Sequence, residues 1–175
     1  MPETWSLTHL KNVANIVRGG SPRPIKSYLT DAENGINWIK IGDAEKGSKY
    51  ISTTSEKIKP SGAGKTRLVH SGSFLLSNSM SFGRPYILKI DGAIHDGWLA
   101  ILDFESSYSS DFLYWLLSSE TVSKQFKQLA SGTAVKNLNS EKVAQTVVPI
   151  LSRREQDKIV LTMNRVNELI EQVDW

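Results

Sequence analysis

The chain contains no cysteine among its 175 residues. That excludes a disulfide framework, a thiolate zinc site and a thiol nucleophile, and it suits a reducing compartment, so the expected location is the cytoplasm. Only His9, His70 and His95 are present, too few and too scattered for a histidine metal cluster. Long apolar runs are missing too. The least charged stretch, Leu68 to Gly83, is broken by His70, Ser71, Ser73, Ser77 and Asn78, so neither a membrane span nor a signal peptide is expected.

Reactive motifs are equally scarce. Gly62-Ala63-Gly64-Lys65-Thr66 looks like a phosphate-binding loop, but such a loop needs a glycine five residues before Gly64, and Lys59 stands there. The string Ser79-Met80-Ser81-Phe82-Gly83 lacks the first glycine of a nucleophile elbow. No Glu-x-Lys pair that could serve a nuclease metal occurs, and the single Gly-x-Gly, Gly62 to Gly64, opens no βαβ unit. His95-Asp96 could pair a base with its orienter, but as neighbours on a strand they would point to opposite faces.

What the chain does have is an ordinary globular composition, 39% apolar, and a formal charge of +3. Met1 to His70 holds eleven Lys and Arg against six Asp and Glu, whereas Ser71 to Trp175 holds ten against twelve. A basic first half of this kind points to a polyanionic partner. Leu7, Leu10, Val13 and Ala14 have helical spacing, and the run ends at Gly19-Gly20-Ser21-Pro22. Strands are expected at Ile36 to Ile41, Phe74 to Leu76, Tyr86 to Ile90 and Trp98 to Leu102. Ser109 or Ser110 can cap one helix with the stripe Phe112, Leu113, Leu116, Leu117, Phe126 and Leu129, stopped by Gly132. A short helix near Ser140 to Gln145 leads to an edge strand, Thr146 to Leu151, marked by Pro149. Ser152 and Glu155 then form a capping box.

The helix after that box has the clearest period. Ile159, Met163, Val166, Ile170 and Val173 alternate by four and three residues, the a/d pattern of a coiled-coil seam. Two readings stand: an amphipathic helix packed on its own domain, or a helix that pairs with another. Three loops carry groups suited to DNA. Lys57, Lys59, Lys65 and Arg67 surround a glycine-bearing loop fit for phosphates, while Asn78, Ser79, Ser81 and Arg84 offer the donors and acceptors that read base edges. Thr133 and Lys136 belong to a third, Ser131 to Lys136. Solvated polar loops remain the alternative for all three.

Five ordered stretches resemble a known family. They are Trp5 to Pro22 with Leu-x-x-Val-Ala-x-Ile-Val-x-Gly-Gly-Ser-Pro, Ile36 to Asp43 with Ile-x-Trp-Ile-Lys-Ile-Gly-Asp, and Gly72 to Gly83 ending in Ser-Phe-Gly. Ser131 to Leu138, Ser-Gly-Thr-Ala-Val-Lys-Asn-Leu, and Val148 to Val160 complete the set. Together they resemble a target recognition domain, plus the start of a helical conserved region, of the specificity subunit of type I restriction-modification enzymes. The resemblance implies a non-catalytic, DNA-binding chain that reads one half of a split double-stranded target and docks methylation and restriction subunits. It also implies that no cofactor is bound here. S-adenosylmethionine would sit on the methylation subunit, and this chain lacks an Asn- or Asp-Pro-Pro-Tyr string. Its length fits a half-size subunit or a fragment.

The expected architecture is therefore α+β: a mixed, largely antiparallel sheet domain over residues 1–151 with packed helices, and a coiled-coil-type assembly helix over residues 152–175. Arg18, Ser21, Arg23 and Lys26 join the three loops as the expected DNA face, and the helical seam is expected to make a homodimer. Two other readings compete: a protein-binding adaptor, or a hydrolase without DNA affinity.

Overall fold

The structure is a computed structural model that describes residues 4–78, 83–131 and 138–173. The chain opens with β1 (Ser6–His9), a 3-10 turn at Leu10–Asn12 and β2 (Asn15–Arg18). After a 3-10 turn at Ile25–Ser27 come β3 (Ile36–Ile39), a turn at Ile41–Asp43, β4 (Tyr50–Ile51) and β5 (Glu56–Ile58). A 3-10 segment, Pro60–Lys65, leads to β6 (Arg67–Val69), β7 (Phe74–Ser77), β8 (Pro85–Leu88), β9 (Gly92–Ile94) and β10 (Trp98–Leu102). The last third holds α1 (Ser110–Ser118), α2 (Glu120–Ala130), α3 (Ser140–Ala144), β11 (Val147–Ile150) and α4 (Arg153–Val173).

Among the described residues three sheets form, in the orders β1-β11, β2-β10-β7-β8-β4 and β5-β3-β9-β6. Pairing is antiparallel except for β3 with β9 and β4 with β8, so the architecture is the expected α+β with a mixed, largely antiparallel sheet. The three central strands of the five-stranded sheet, β10, β7 and β8, are buried on both faces, which is why they read as nearly unbroken apolar runs. Alternation sends Phe74, Leu76, Ile87, Leu99 and Ile101 toward α1, α2 and α3, where they meet Phe112, Leu113, Leu117 and Phe126. Leu75, Tyr86, Leu88, Trp98 and Ala100 face the other way and pack on Ile39, Val69 and Ile94 of the four-stranded sheet. Helices, central sheet and outer sheet make three layers.

Several expectations change. Leu7 to Ala14 is not a helix: β1 pairs with β11 in the register Leu7↔Pro149, and tertiary pairing overrides the helical spacing. The expected helix from Ser109 is two helices, split where Ser119 ends α1 with its N–H on the Leu116 carbonyl and caps α2 by accepting from the Val122 N–H. The expected stop at Gly132 lies outside the described residues. Lys57 to Arg67 is an ordered strand, 3-10 segment and strand rather than a loop. Ser109 does cap α1, accepting from the Phe112 N–H at 3.2 Å.

The base of α4 is tied down by polar contacts. Gln156 is buried; its Oε1 accepts from the Ser109 N–H at 3.0 Å, while its Nε2 donates to the Ser107 and Leu151 carbonyls. The capping box forms as expected, with the Ser152 N–H donating to Glu155 Oε2 at 3.0 Å. Glu155 also accepts from Trp5 Nε1 at 3.0 Å, which ties the chain start to α4. Hydrogen bonds from Ser152, Trp5 and Thr4 hold the Glu155 carboxyl down to about 2. A depressed carboxyl favours the fold fully above its unfolded value and loses that contribution as pH falls through the folded one. Urea midpoints measured from pH 6 down to pH 2.5 should therefore fall less steeply for Glu155→Gln than for the wild type. Parallel curves would show that the box carries no pH-dependent stability.

Candidate nucleic-acid interface

Two basic stretches far apart in sequence meet in space. The connector after β2 passes so close to the turn between β9 and β10 that a Cβ on Gly19 would lie 2.3 Å from the His95 carbonyl oxygen, and one on Gly20 would lie 2.9 Å from that of Lys65. Only glycines allow this approach. The Gly19 N–H donates to the Trp98 carbonyl at 2.9 Å and the Gly20 N–H to that of Ile94 at 3.1 Å. The 59–67 segment lies alongside: Arg67 Nε donates to the Arg18 carbonyl at 3.1 Å and Lys59 Nζ to that of Ser27 at 2.8 Å. Lys65 Nζ donates to the Tyr28 hydroxyl at 2.5 Å and lies 4.9 Å from the centre of that ring. Arg18, Arg23, Lys26, Lys59, Lys65 and Arg67, all exposed, thus share one surface.

Asp96 organises this surface. Its carbonyl accepts from Arg18 Nε at 3.0 Å and from Asn78 Nδ2 at 2.9 Å. Its carboxylate accepts from Ser21 Oγ at 2.8 Å and from Arg23 Nη2 at 3.3 Å. Partial burial pushes the Asp96 carboxyl up, but the Ser21 hydroxyl and the charges of His95 and Arg23 outweigh it and keep it below its ordinary value. His95 moves down because burial outweighs the attraction of Asp96. Beside these groups is a pocket of about 420 Å³ whose walls include Trp38, Lys40, Glu56 and Lys26. Lys40 is paired with Glu56 at 2.6 Å.

His95 and Asp96 sit in the turn between β9 and β10, not on a strand, so their side chains are not sent to opposite faces; His95 Nε2 lies 3.9 Å from Asp96 Oδ1. Ser21, Asp96 and His95 therefore cluster, yet not as a hydrolytic triad. Ser21 gives its proton to Asp96, and His95 Nδ1 already accepts from the Gly97 N–H at 2.8 Å. The nucleophile–base hydrogen bond that such chemistry needs is not made. No group of three or more metal-ligating side chains occurs among the described residues.

Residues 2–173 match the family described as the type I restriction modification DNA specificity domain. The chain belongs to this family. A type I restriction enzyme MjaIX specificity subunit from Methanocaldococcus jannaschii is 25% identical over 175 residues, covering 98% of this chain and 40% of that protein. A chain solved in work on complex assembly and conformational transition of the type I R-M system shares the fold at TM-score 0.76, with 18% identity over 99% of this chain and 40% of its own. The HsdS subunit from Thermoanaerobacter tengcongensis gives TM-score 0.75, with 18% identity over 98% of this chain and 39% of its own. This chain thus spans about 40% of the length of these relatives.

Within this specificity domain the expected site residues divide. Arg18, Ser21, Arg23, Lys26, Lys59, Lys65 and Arg67 come together. Lys57 does not, because alternation in β5 turns it to the face opposite Glu56 and the pocket. Asn78 is only 1% exposed and spends its amide on the Asp96 carbonyl, so it is not open to a base edge. Arg84 lines a separate cleft of about 400 Å³ with Lys46, Tyr86 and Tyr114. Ser79, Ser81, Thr133 and Lys136 lie outside the described residues. The sequence names His95-Asp96 only as a candidate base and orienter and does not place Trp38, Lys40, His95 or Asp96 on this surface; the Asp96-Gly97 dipeptide, a turn signal, was the clue to the last two.

The seam residues of α4 fall on a different surface. Ile159 and Met163 line an apolar groove of about 320 Å³ with Trp5, Phe112, Trp115 and Leu116. Beyond it Val166, Ile170 and Val173 are exposed. Ile159 is half-buried against the core, and the other residues that meet the body, Gln156, Val160 and Asn164, lie roughly 100° round the helix from the stripe at 3.6 residues per turn; Asn164 Oδ1 accepts from Trp115 Nε1 at 2.9 Å. Packing on its own domain therefore leaves most of the stripe uncovered. No helix among the described residues is long and apolar enough to cross a membrane. Replacing Asn78 with alanine removes a buried hydrogen bond from the Asp96 turn and should cost about 1–3 kcal/mol in urea unfolding. An unchanged midpoint would contradict the structural role given to this residue.

Proposed function

We propose that this chain reads one half of a bipartite double-stranded DNA target through the surface formed by residues 18–28 and 59–67. On this reading it serves in the cytoplasm as the non-catalytic specificity part of an assembly with methylation and restriction subunits. The observation that carries the reading is the convergence of six exposed cations around one ordered turn, on a fold that belongs to a DNA specificity family. Clustered Lys and Arg displace counterions from phosphates, which supplies the sequence-independent part of affinity and the register on the duplex. S-adenosylmethionine belongs, on this reading, to the methylation subunit.

A single recognition surface is small, and specific contacts across both halves of a split target need two. The exposed stripe Met163, Val166, Ile170 and Val173 fits a second α4 packed about a two-fold axis, so that a homodimer presents two surfaces to one duplex. Light scattering on the wild type beside Ile159→Asp plus Ile170→Asp should give a dimer and a monomer. A monomer in both cases would rule out pairing through this helix.

The DNA surface has its own test. Replacing Lys26, Lys59 and Lys65 with glutamine should lower the slope of log affinity against log salt by about 0.9 for each phosphate that is no longer neutralised. Lys57→Gln, on the opposite face, should leave the slope alone. Equal effects from Lys57 and from the three lysines, or no effect from either, would remove this surface from the interface.

A further inference from the structure

Resting on that DNA-reading assignment, we propose that Arg23 is a base-reading side chain, with guanine as its partner, and that Asp96 is the positioning residue that presents it. The Arg23 side chain is 75% exposed, yet Asp96 Oδ2 holds its Nη2 at 3.3 Å. One contact leaves most of the five N–H donors of the guanidinium unused. Asp96 is itself fixed at its other oxygen by Ser21 and at its carbonyl by Arg18 and Asn78. The Asp96 contact thus favours one orientation of the exposed arginine over a hydrogen-bonded turn, and a fork already oriented loses less freedom when it meets the N7 and O6 of guanine.

Charge distinguishes Arg23 from its neighbours. Lys59 and Lys65 donate to a carbonyl and a phenol, neither of which neutralises them, so their full charge is available to phosphates. Arg23 is compensated by a carboxylate, and that carboxylate repels phosphate. A carboxylate at that position weakens the hold of the surface on the DNA backbone. A surface that reads bases gains from it, because base edges carry no net charge and discrimination depends on the direction of the donors. The pocket of about 420 Å³ beside Arg23 leaves room for a base edge to approach.

The test is selection from a pool of duplexes with a randomised segment, at low salt, using the full chain. Wild type, Arg23→Lys, Arg23→Ala, Asp96→Asn and Lys59→Gln plus Lys65→Gln are compared, with thermal melting as the control for folding. The wild type should enrich a motif containing a guanine. Arg23→Lys, which keeps the charge on an exposed residue, should lose preference at that position by about tenfold or more while other positions and the salt slope hold. Asp96→Asn should relax the same position, whereas the double lysine variant should weaken all sequences alike. Should Asp96→Asn melt early, Arg23→Lys and Arg23→Ala decide the base contact, and a relaxed position in Arg23→Lys with an intact one in folded Asp96→Asn overturns the positioning role. If the Arg23 variants enrich the wild-type motif unchanged, the proposal fails and DNA reading stands. If the wild type enriches no motif, both fail.

Discussion

Asp96 accepts hydrogen bonds from four other side chains, Arg18, Ser21, Arg23 and Asn78, two of them on its carbonyl and two on its carboxylate. An aspartate in a turn can accept at both carboxylate oxygens and at its backbone carbonyl, and here all three are used. The turn that carries it lies between β9 of the outer sheet and β10 of the central sheet, so the same contacts that fix the turn also fix how the two sheets meet. The two glycines after β2 pass against the neighbouring backbone and leave no room for a side chain. Without that close approach the 18–28 and 59–67 segments would not share a surface.

Two surfaces with different chemistry result, and they share no residue. One is cationic and hydrogen-bonding, built on the connector, the 59–67 segment and the pocket beside Trp38. The other is apolar, built on Trp5, α1 and the stripe of α4. The central sheet, whose three middle strands are buried on both faces, lies between the helices that support the second and the outer sheet that supports the first. On the proposed reading, affinity for DNA and affinity for assembly can be tuned separately, since the two sets of residues are not in contact.

Much of this is legible in the sequence, for identifiable reasons. The strands at Phe74, Tyr86 and Trp98 announce themselves because burial on both faces demands apolar residues throughout. The capping box at Ser152 and the four-three spacing after it are local signals, and local signals survive folding. The helix expected at Leu7 gives way to a partner strand about 140 residues away in sequence, a pairing that no local window contains. Asn78 reads as a base contact in the sequence because polarity in a loop looks the same whether the group faces solvent or another turn. Lys57 stands two residues from Lys59 in sequence, but it lies within β5, where alternation turns it away from Glu56, whereas Lys59 lies beyond the end of that strand and reaches the Ser27 carbonyl. The role of Asp96 is invisible there because it depends on side chains from residues 18–23 and on Asn78, which sequence does not place beside it.

The central claim, that residues 18–28 and 59–67 with the Asp96 turn form the DNA-facing surface, is tested most directly by hydrogen exchange on the intact chain with and without duplex DNA at low salt. The account predicts slower exchange on adding DNA across residues 18–28, 59–67 and 94–97, with the exposed stripe of α4 unchanged at fixed protein concentration. Protection confined to α4 or to the β1–β11 pair, with the Asp96 turn unaffected, would contradict it.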